Sequence, residues 1–319
     1  MQVFSDYTNV ATSSGTAVAI GNFDGVHLGH QALLRSAVSR AADMGIAPCV
    51  LTFDPHPVRL FAPHVKLHSL TSLEERVSLL DHYGVQVVLA QTFDRAFAAL
   101  TEYQFIKRVL VDSLKAKVVI VGYDFRFGAG RSGDLSSLRR YGAQLGFEVV
   151  VIDAVETADS RPISSTRVRS SLQTGDLDTV RRILGRPMHL RGLVVPGEQR
   201  GRALGFRTAN IQADVGVLLE PGVYAGWMDY GDGPRHAVAN IGRNPTFGDD
   251  RPMTVEVHIL NHDAPDLYGK SVRFWIADSI RPERKFESIE GLVTQIQTDC
   301  RSASDVLAGL DDPPALIWE

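Results

Sequence analysis

The run Gly21-Asn22-Phe23-Asp24-Gly25-Val26-His27-Leu28-Gly29-His30 puts two imidazoles three residues apart behind a glycine-rich turn. It follows the apolar segment Ala17-Val18-Ala19-Ile20 and precedes a helical pattern. A strand that turns through glycines into a helix is where α/β proteins hold phosphates. Unpaired backbone N–H groups and the helix dipole both face an anion there. Imidazoles at that place can donate hydrogen bonds to oxygens that gain charge during transfer. The expected chemistry is transfer at a nucleotide phosphate. The loop carries neither Gly-Lys-Ser/Thr nor Gly-x-Gly-x-x-Gly, so the two commonest glycine-loop readings do not apply to it.

A second cradle lies downstream at Ile163-Ser164-Ser165-Thr166-Arg167-Val168-Arg169, where three hydroxyls open a helix and arginines follow. Alone it reads as an ordinary helix cap. Joined to the histidine loop on one α/β domain, it reads as a phosphate site.

A third group sits in the C-terminal half. It comprises Gly201-Arg202-Ala203-Leu204-Gly205-Phe206-Arg207-Thr208-Ala209-Asn210, Asn240-Ile241-Gly242-Arg243-Asn244-Pro245-Thr246-Phe247 and Val255-Glu256-Val257-His258. Strand alternation sends Glu256 and His258 to one face, opposite Val255 and Val257. A carboxylate so placed can act as a base, although Glu256 by itself reads as a solvent-facing residue.

The elements that must position these groups change character along the chain. In the first half, strands at Val18–Ile20, Cys49–Phe53, Val85–Ala90, Val118–Val121 and Glu148–Ile152 alternate with helices. Helices are expected over Gln31–Met44 with Gly45 as its stop, from Ser72 to about Tyr83, and over Leu135–Leu145 ended by Gly146. Ser72 with Glu75, and Thr101 with Gln104, have capping-box spacing. Phe105, Ile106, Val109 and Leu110 mark the helix after Thr101. The alternation predicts a Rossmann-like parallel sheet that binds its ligand beyond the strands' carboxyl ends. The histidine loop and the loop after Val121 belong at that edge.

Asp176–Leu184 reads as the last helix of this domain, which spans residues 1–185. Residues 186–319 then carry strands at Leu190–Val195, Val223–Tyr230, His236–Ile241, Thr254–Leu260 and Val272–Ile276. Tyr230-Gly231-Asp232-Gly233 is a hairpin signal. This pattern predicts an antiparallel β-barrel, closed by an amphipathic helix over Ser288–Thr298 with Ile289, Leu292, Val293 and Ile296 on one face. The tail from Ser302 is expected to dock weakly, with Trp318 as an anchor.

A chain of 319 residues suits two domains. Its 44% hydrophobic and 22% charged content is that of an ordinary globular protein. A net charge of −4 provides no basic field, so nucleic acid is not an expected partner. Two cysteines exclude a disulfide framework or a cysteine metal site. Cys49 lies in an apolar run and reads as a small hydrophobe. With no secretion signal and no transmembrane-length apolar segment, the expected compartment is the cytoplasm and no membrane is an expected partner. An oligomer is compatible with the sequence.

The histidine loop and Ile163–Arg169 together resemble the nucleotidyltransferase signatures of the bacterial bifunctional riboflavin kinase/FAD synthetase family. Thr52-Phe53-Asp54-Pro55-His56-Pro57 and Val121-Gly122-Tyr123-Asp124-Phe125-Arg126-Phe127-Gly128 resemble further motifs of that family. The C-terminal motifs, with Arg281-Pro282-Glu283-Arg284-Lys285-Phe286, resemble its riboflavin kinase module. The resemblance covers nearly the whole chain. It implies that riboflavin is phosphorylated to FMN with ATP, and that FMN is adenylylated to FAD with release of pyrophosphate.

By that resemblance, His27 and His30 act on the ATP phosphates, with His30 favoured at the transition state. Ser164, Ser165, Thr166 and Arg169 hold the triphosphate. Gly21, Asn22, Phe23, Asp24, Gly25, Gly29 and Asp124 complete the nucleotide site. Phe53, Phe125 and Phe127 line a flavin pocket, or else are core. Glu256 is the kinase base and Gly201, Arg202 and Gly205 form its phosphate loop. Thr208 and Asn210 ligate Mg²⁺, and Arg281, Glu283 and Phe286 lie near the flavin. The family usually reads Gly-Phe-Pro-Thr-Ala-Asn where this chain has Arg207 in place of proline. That departure keeps a rival reading open: an FMN adenylyltransferase whose kinase domain is weakened or only binds flavin. A non-catalytic flavin sensor and a nucleotidyltransferase for a different phosphorylated metabolite are two more rivals. Glu256 argues against the sensor, and the kinase-like half against the different metabolite.

Overall fold

The computed structural model describes residues 1–12, 15–157, 160–197, 204–242, 253–262 and 265–313. They form two compact units, Met1–Leu67 with Leu73–Ser164, and His68–Ser72 with Ser165–Glu319.

The first unit is built on a six-stranded parallel sheet of β1 (Gln2–Phe4), β2 (Thr16–Ile20), β3 (Ala47–Asp54), β4 (Val87–Thr92), β5 (Ala116–Gly122) and β6 (Glu148–Ile152). The strand order is β1-β4-β3-β2-β5-β6, and every neighbouring pair is parallel. Chain progression reverses between β2 and β5, which makes this the topological switch point where such sheets bind ligands. All residues of β2 are buried, as both-face coverage of a parallel sheet requires.

The helices of this unit are α1 (Leu28–Met44), α2 (Val58–Phe61), α3 (Leu73–His82), α4 (Arg95–Ala98), α5 (Glu102–Gln104) and α6 (Leu135–Leu145). Gly45 and Gly146 end α1 and α6 in the left-handed conformation, at φ 64° and 81°, as expected of C-terminal glycines. Thr101 and Gln104 form the reciprocal capping box, at 3.2 and 3.0 Å. Beyond it the helix widens into a π-helix over Phe105–Ser113. Phe105, Ile106, Val109 and Leu110 are all buried. Their spacing marks this apolar face but carries no sign of the wider winding. Cys49 is fully buried, and burial pushes its thiol pKa up.

The second unit contains α7 (Ser165–Gln173) and α8 (Leu177–Leu184), then a closed antiparallel barrel. Its strands are β7 (Met188–Val195), β8 (Ala209–Ala213), β9 (Gly222–Asp229), β10 (Arg235–Gly242), β11 (Thr254–Ile259) and β12 (Ser271–Pro282), in the order β10-β11-β8-β7-β12-β9. Arg181 of α8 donates to the Ala277 carbonyl of β12. Gly231 and Gly233 take φ 105° and 87° in the expected hairpin.

Strands β1 and β8 are not evident in the sequence. Gln2–Phe4 is too short to show a period, and Ala209–Ala213 merges with a loop motif. The closing helix α9 (Ile289–Leu307) is longer than expected. Ser302 lies inside it, and Ala303 and Leu307 are fully buried. Residues 302–307 are therefore packed helix rather than a weakly docked extension. The buried positions of α9 are Asp299, Ala303 and Leu307, spaced four apart; of the expected face, Leu292, Val293 and Ile296 are half-buried and Ile289 is 63% exposed. Trp318 lies outside the described residues.

Candidate functional sites

The histidine loop leaves the carboxyl end of β2 at the switch point. It is flanked by the chain after β3, which begins at Pro55, and by the chain after β5, which begins at Tyr123. The loop is strained. Phe23 and Val26 have φ of 50° and 42°, a region that costs a non-glycine residue about 1–3 kcal/mol and suits a β-branched one least. Its surroundings hold that strain. Gln31 donates from Nε2 to the Val26 carbonyl at 3.0 Å, and Thr52 Oγ1 donates to the Asn22 carbonyl at 2.9 Å. Arg76, 3% exposed, donates from Nη1 to Thr52 Oγ1 at 3.3 Å and to the Phe53 carbonyl at 3.2 Å. Burial lowers the Arg76 pKa, and Asp24 and Asp54 oppose that shift.

His27 is the N-cap of α1: its Nδ1 accepts the His30 N–H at 3.2 Å. The ring therefore presents Nε2 as its donor. A Cβ on Gly29 would stand 3.2 Å from this ring, so the glycine of His-x-Gly-His makes room for the imidazole to fold back. His30 stacks on His27, with centroids 3.6 Å apart and planes within 13°. His30 Nδ1 is buried without a hydrogen-bond partner. Burial, then the neighbouring His27 and Arg76, push its pKa well below the usual histidine value. Of the other residues assigned here, Asp24 is buried and Asp124 is exposed.

Phe125 and Phe127 stack at 5.4 Å. Phe127 is buried in the core and Phe125 half-buried. Phe53 meets Phe93 edge-on at 5.3 Å. One aromatic missed by sequence reading stands at the rim of this cluster. Phe61 is 68% exposed and contacts Phe93 at 5.8 Å. An aromatic four residues after the Asp54–Pro57 turn was the available signal. The Gly-x-Gly-x-x-Gly spacing does occur at Gly128-Ala129-Gly130-Arg131-Ser132-Gly133. It forms a tight turn closed by the Phe127–Gly133 bridge, not a strand-to-helix crossing.

In the second unit, α7 begins at Ser165, so Ser164 stands immediately before its first turn. Arg169 donates from Nε to the His68 carbonyl at 2.7 Å, and Thr166 is exposed.

The barrel brings three polar residues into one row. Glu256 of β11 is directly opposite Asn210 of β8 on one side and Asn240 of β10 on the other. Directly opposed residues share a face. Val255 and Val257 are buried, so the row lies on the outer face of the barrel. A cavity of about 290 Å³ is lined in part by Thr208, Asn210 and His258. A Cβ on Gly197 would collide with the Asn210 carboxamide, so Gly197 is needed for Asn210 to lie where it does. Gly205 takes φ 87°, which only glycine adopts without strain. Gly201 and Arg202 lie outside the described residues, as do residues 243–247.

Arg281 is committed to Asp299. Its Nε lies 3.0 and 3.1 Å from the two carboxylate oxygens, and its Nη2 lies 2.8 Å from Oδ2. Asp299 also accepts from Gln295 Nε2 at 2.7 Å. The guanidinium carbons of Arg281 and Arg284 stand 5.7 and 4.8 Å from the Phe286 ring centre. Glu283 is exposed, with its carboxylate where a Gly242 side chain would point.

Comparison with known proteins supports both halves. A family model described as FAD synthetase matches residues 9–167, and one described as riboflavin kinase matches residues 184–307. The bifunctional riboflavin kinase/FMN adenylyltransferase of Escherichia coli (strain K12) is 40% identical over 304 residues, covering 95% of this chain and 96% of that protein. That of Listeria monocytogenes is 36% identical over 307 residues, covering 96% of both. A solved structure from Streptococcus pneumoniae, described as a macrolide-efflux protein, superposes with a TM-score of 0.84 at 30% identity. It covers 97% of this chain and 99% of that one. No described helix here is long and apolar enough to cross a membrane. The chain belongs to the bifunctional riboflavin kinase/FMN adenylyltransferase family.

Proposed function

We propose the following division of labour. The chain is a bifunctional enzyme of FAD synthesis, with ATP, riboflavin and FMN as its substrates. Residues 1–185 adenylylate FMN and residues 186–319 phosphorylate riboflavin.

In the adenylyl transfer, an FMN phosphate oxygen attacks the α-phosphorus of ATP and pyrophosphate leaves. Little covalent work falls to the protein, so positioning and charge stabilisation carry the rate. The observation that carries this half is the stacked His27–His30 pair at the head of α1, at the sheet's switch point. His27 Nε2–H and His30 donate to phosphate oxygens as charge builds. Gly21–Gly29 and Asp124 shape the nucleotide site, and Ser164, Ser165, Thr166 and Arg169 hold the triphosphate. Phe53 and Phe125, with Phe127 behind and Phe61 at the rim, flank the isoalloxazine.

In the kinase half, Glu256 takes the proton of the ribityl 5′-hydroxyl, whose oxygen attacks the γ-phosphorus of ATP while ADP leaves. The observation that carries it is the Asn210–Glu256–Asn240 row beside Thr208. Thr208 and Asn210 offer neutral oxygen donors, which suit Mg²⁺. Among the described residues no three His, Cys, Asp or Glu side chains gather as a metal site. Two neutral donors suit a cation that shares its coordination with ATP phosphates, and Mg²⁺ there would neutralise phosphate charge. Gly201, Arg202 and Gly205 form the phosphate loop. Glu283 and Phe286 face the flavin, and Arg281 braces them through Asp299. ATP supply fits the cytoplasm, and the net charge of −4 fits small-molecule rather than nucleic-acid partners.

The test is incubation with riboflavin, ATP and Mg²⁺ and chromatographic resolution of the flavins. Accumulation of FMN and FAD is expected. FAD formed only from supplied FMN would leave the adenylyltransferase alone, and no product from either flavin would defeat both assignments.

A further inference from the structure

The ladder between β8 and β11 stops short of the kinase residue Thr208. Its last pair joins Val257 to Ala209, so Thr208 and Arg207 run on past the paired register. The next connection between the two segments is made by a side chain. His258 Nδ1 lies 2.8 Å from the Arg207 carbonyl oxygen. A carbonyl only accepts, so the imidazole carries its proton on Nδ1 and donates. The same ring meets Phe206 edge-on, with centroids 5.7 Å apart. Thr208 is therefore anchored from both sides, by the ladder at Ala209 and by His258 at Arg207. Arg207 has no ring to fix its own φ, and its side chain is exposed. His258, Thr208 and Asn210 line one cavity.

We infer that His258 is a positioning residue for the kinase site. Its Nδ1–H holds the Arg207 carbonyl and so fixes the backbone that presents Thr208 to a nucleotide and its divalent cation. The inference rests on the reading of Thr208 and Asn210 given above. Strand pairing alone does not require this bond, because the ladder already closes at Ala209.

The test compares the full-length wild type with His258→Ala, His258→Asn, His258→Gln and Thr208→Ala. The asparagine carboxamide nitrogen reaches roughly where Nδ1 stands, while that of glutamine reaches toward the Nε2 position. Two readouts are needed: amide hydrogen exchange at residues 208–210, and Mn²⁺ affinity in the presence of ADP by electron paramagnetic resonance. The melting temperature of the barrel, followed by amide exchange in β9 and β12, checks that each variant folds. His258→Ala is expected to exchange about tenfold faster at these amides and to bind Mn²⁺ about five- to tenfold more weakly, the size of one lost hydrogen bond. His258→Asn should restore both, and His258→Gln neither. Wild-type exchange in His258→Ala, or equal rescue by Asn and Gln, overturns the inference. If His258→Ala exchanges faster while Thr208→Ala binds Mn²⁺ normally, the cation reading of Thr208 fails and the His258 anchor stands.

Discussion

His27 and His30 stack face to face, 3.6 Å between ring centres, because the first caps the helix that carries the second. The cap bond uses His27 Nδ1 and the His30 backbone N–H. One interaction thereby fixes a tautomer, starts α1 and sets the spacing of two imidazoles over a phosphate-binding turn. Replacing His30 with alanine should remove FAD formation from FMN while FMN formation from riboflavin continues. Glu256→Ala should show the opposite pattern. Loss of both activities in both variants would falsify the assignment of one reaction to each half.

The same stack has a pH signature. Burial lowers the His30 pKa well below 6.5, and His27 and Arg76 add to that effect. The unfolded chain, titrating near ~6.5, binds a proton that the folded chain refuses. This contribution to stability is complete above ~6.5 and is lost as pH falls from there toward the folded-state pKa. The drop in melting temperature between about pH 7.5 and about pH 5.5 should therefore be smaller in His30→Asn than in the wild type. An equal drop in both proteins would remove His30 as its source.

Arg76 supports the turn without belonging to any motif. It reaches Thr52 and the Phe53 carbonyl, and Thr52 in turn holds the Asn22 carbonyl. Arg76→Met keeps much of the packing but removes the donors and the cation facing Asp24 and Asp54. Loss of one partner from a buried charged group costs roughly 3–5 kcal/mol. A clear fall in denaturant midpoint is expected, together with loss of FAD formation. A variant as stable and as active as the wild type would show that the loop holds its strain unaided.

The parallel sheet and the barrel were legible because each rests on a local signal. Such signals include the apolar runs of β2 and β5, the glycine stops at Gly45 and Gly146, and alternation around Glu256. What stayed hidden depends on contacts far apart in sequence. Arg76 lies 24 residues from Thr52, and nothing near it marks it as the support of the loop. Residue type alone gave no sign that Arg281 is occupied by Asp299, because the ion pair spans 18 residues and two elements. The added turns of α9 were missed because Asp299 reads as polar. Its burial is matched by the bonds it accepts from Arg281 and Gln295.

That ion pair makes its own prediction. Asp299 has a side chain 5% exposed and Arg281 one 17% exposed, so both are largely desolvated. Asp299→Ala leaves a buried guanidinium without its anion, at a cost of about 3–5 kcal/mol. Riboflavin phosphorylation should fall with it, because Arg281 is held between Asp299 and the Phe286 ring. Unchanged KM for riboflavin in a folded Asp299→Ala variant would separate Arg281 from flavin binding.

Gly197→Ala isolates the placement of Asn210 from the stability of the barrel. Gly197 follows β7 by two residues, outside the ladder, so an added methyl disturbs no strand pairing. The new Cβ would occupy the space now filled by the Asn210 carboxamide. The side chain must then rotate away from the row it shares with Glu256. Displacing a reacting arrangement by about 1 Å can cost on the order of a hundredfold in rate. FMN formation should therefore drop by about that factor, with the melting temperature and FAD formation from FMN retained. Undiminished FMN formation in Gly197→Ala would mean that Asn210 need not lie beside Glu256 for the kinase to work.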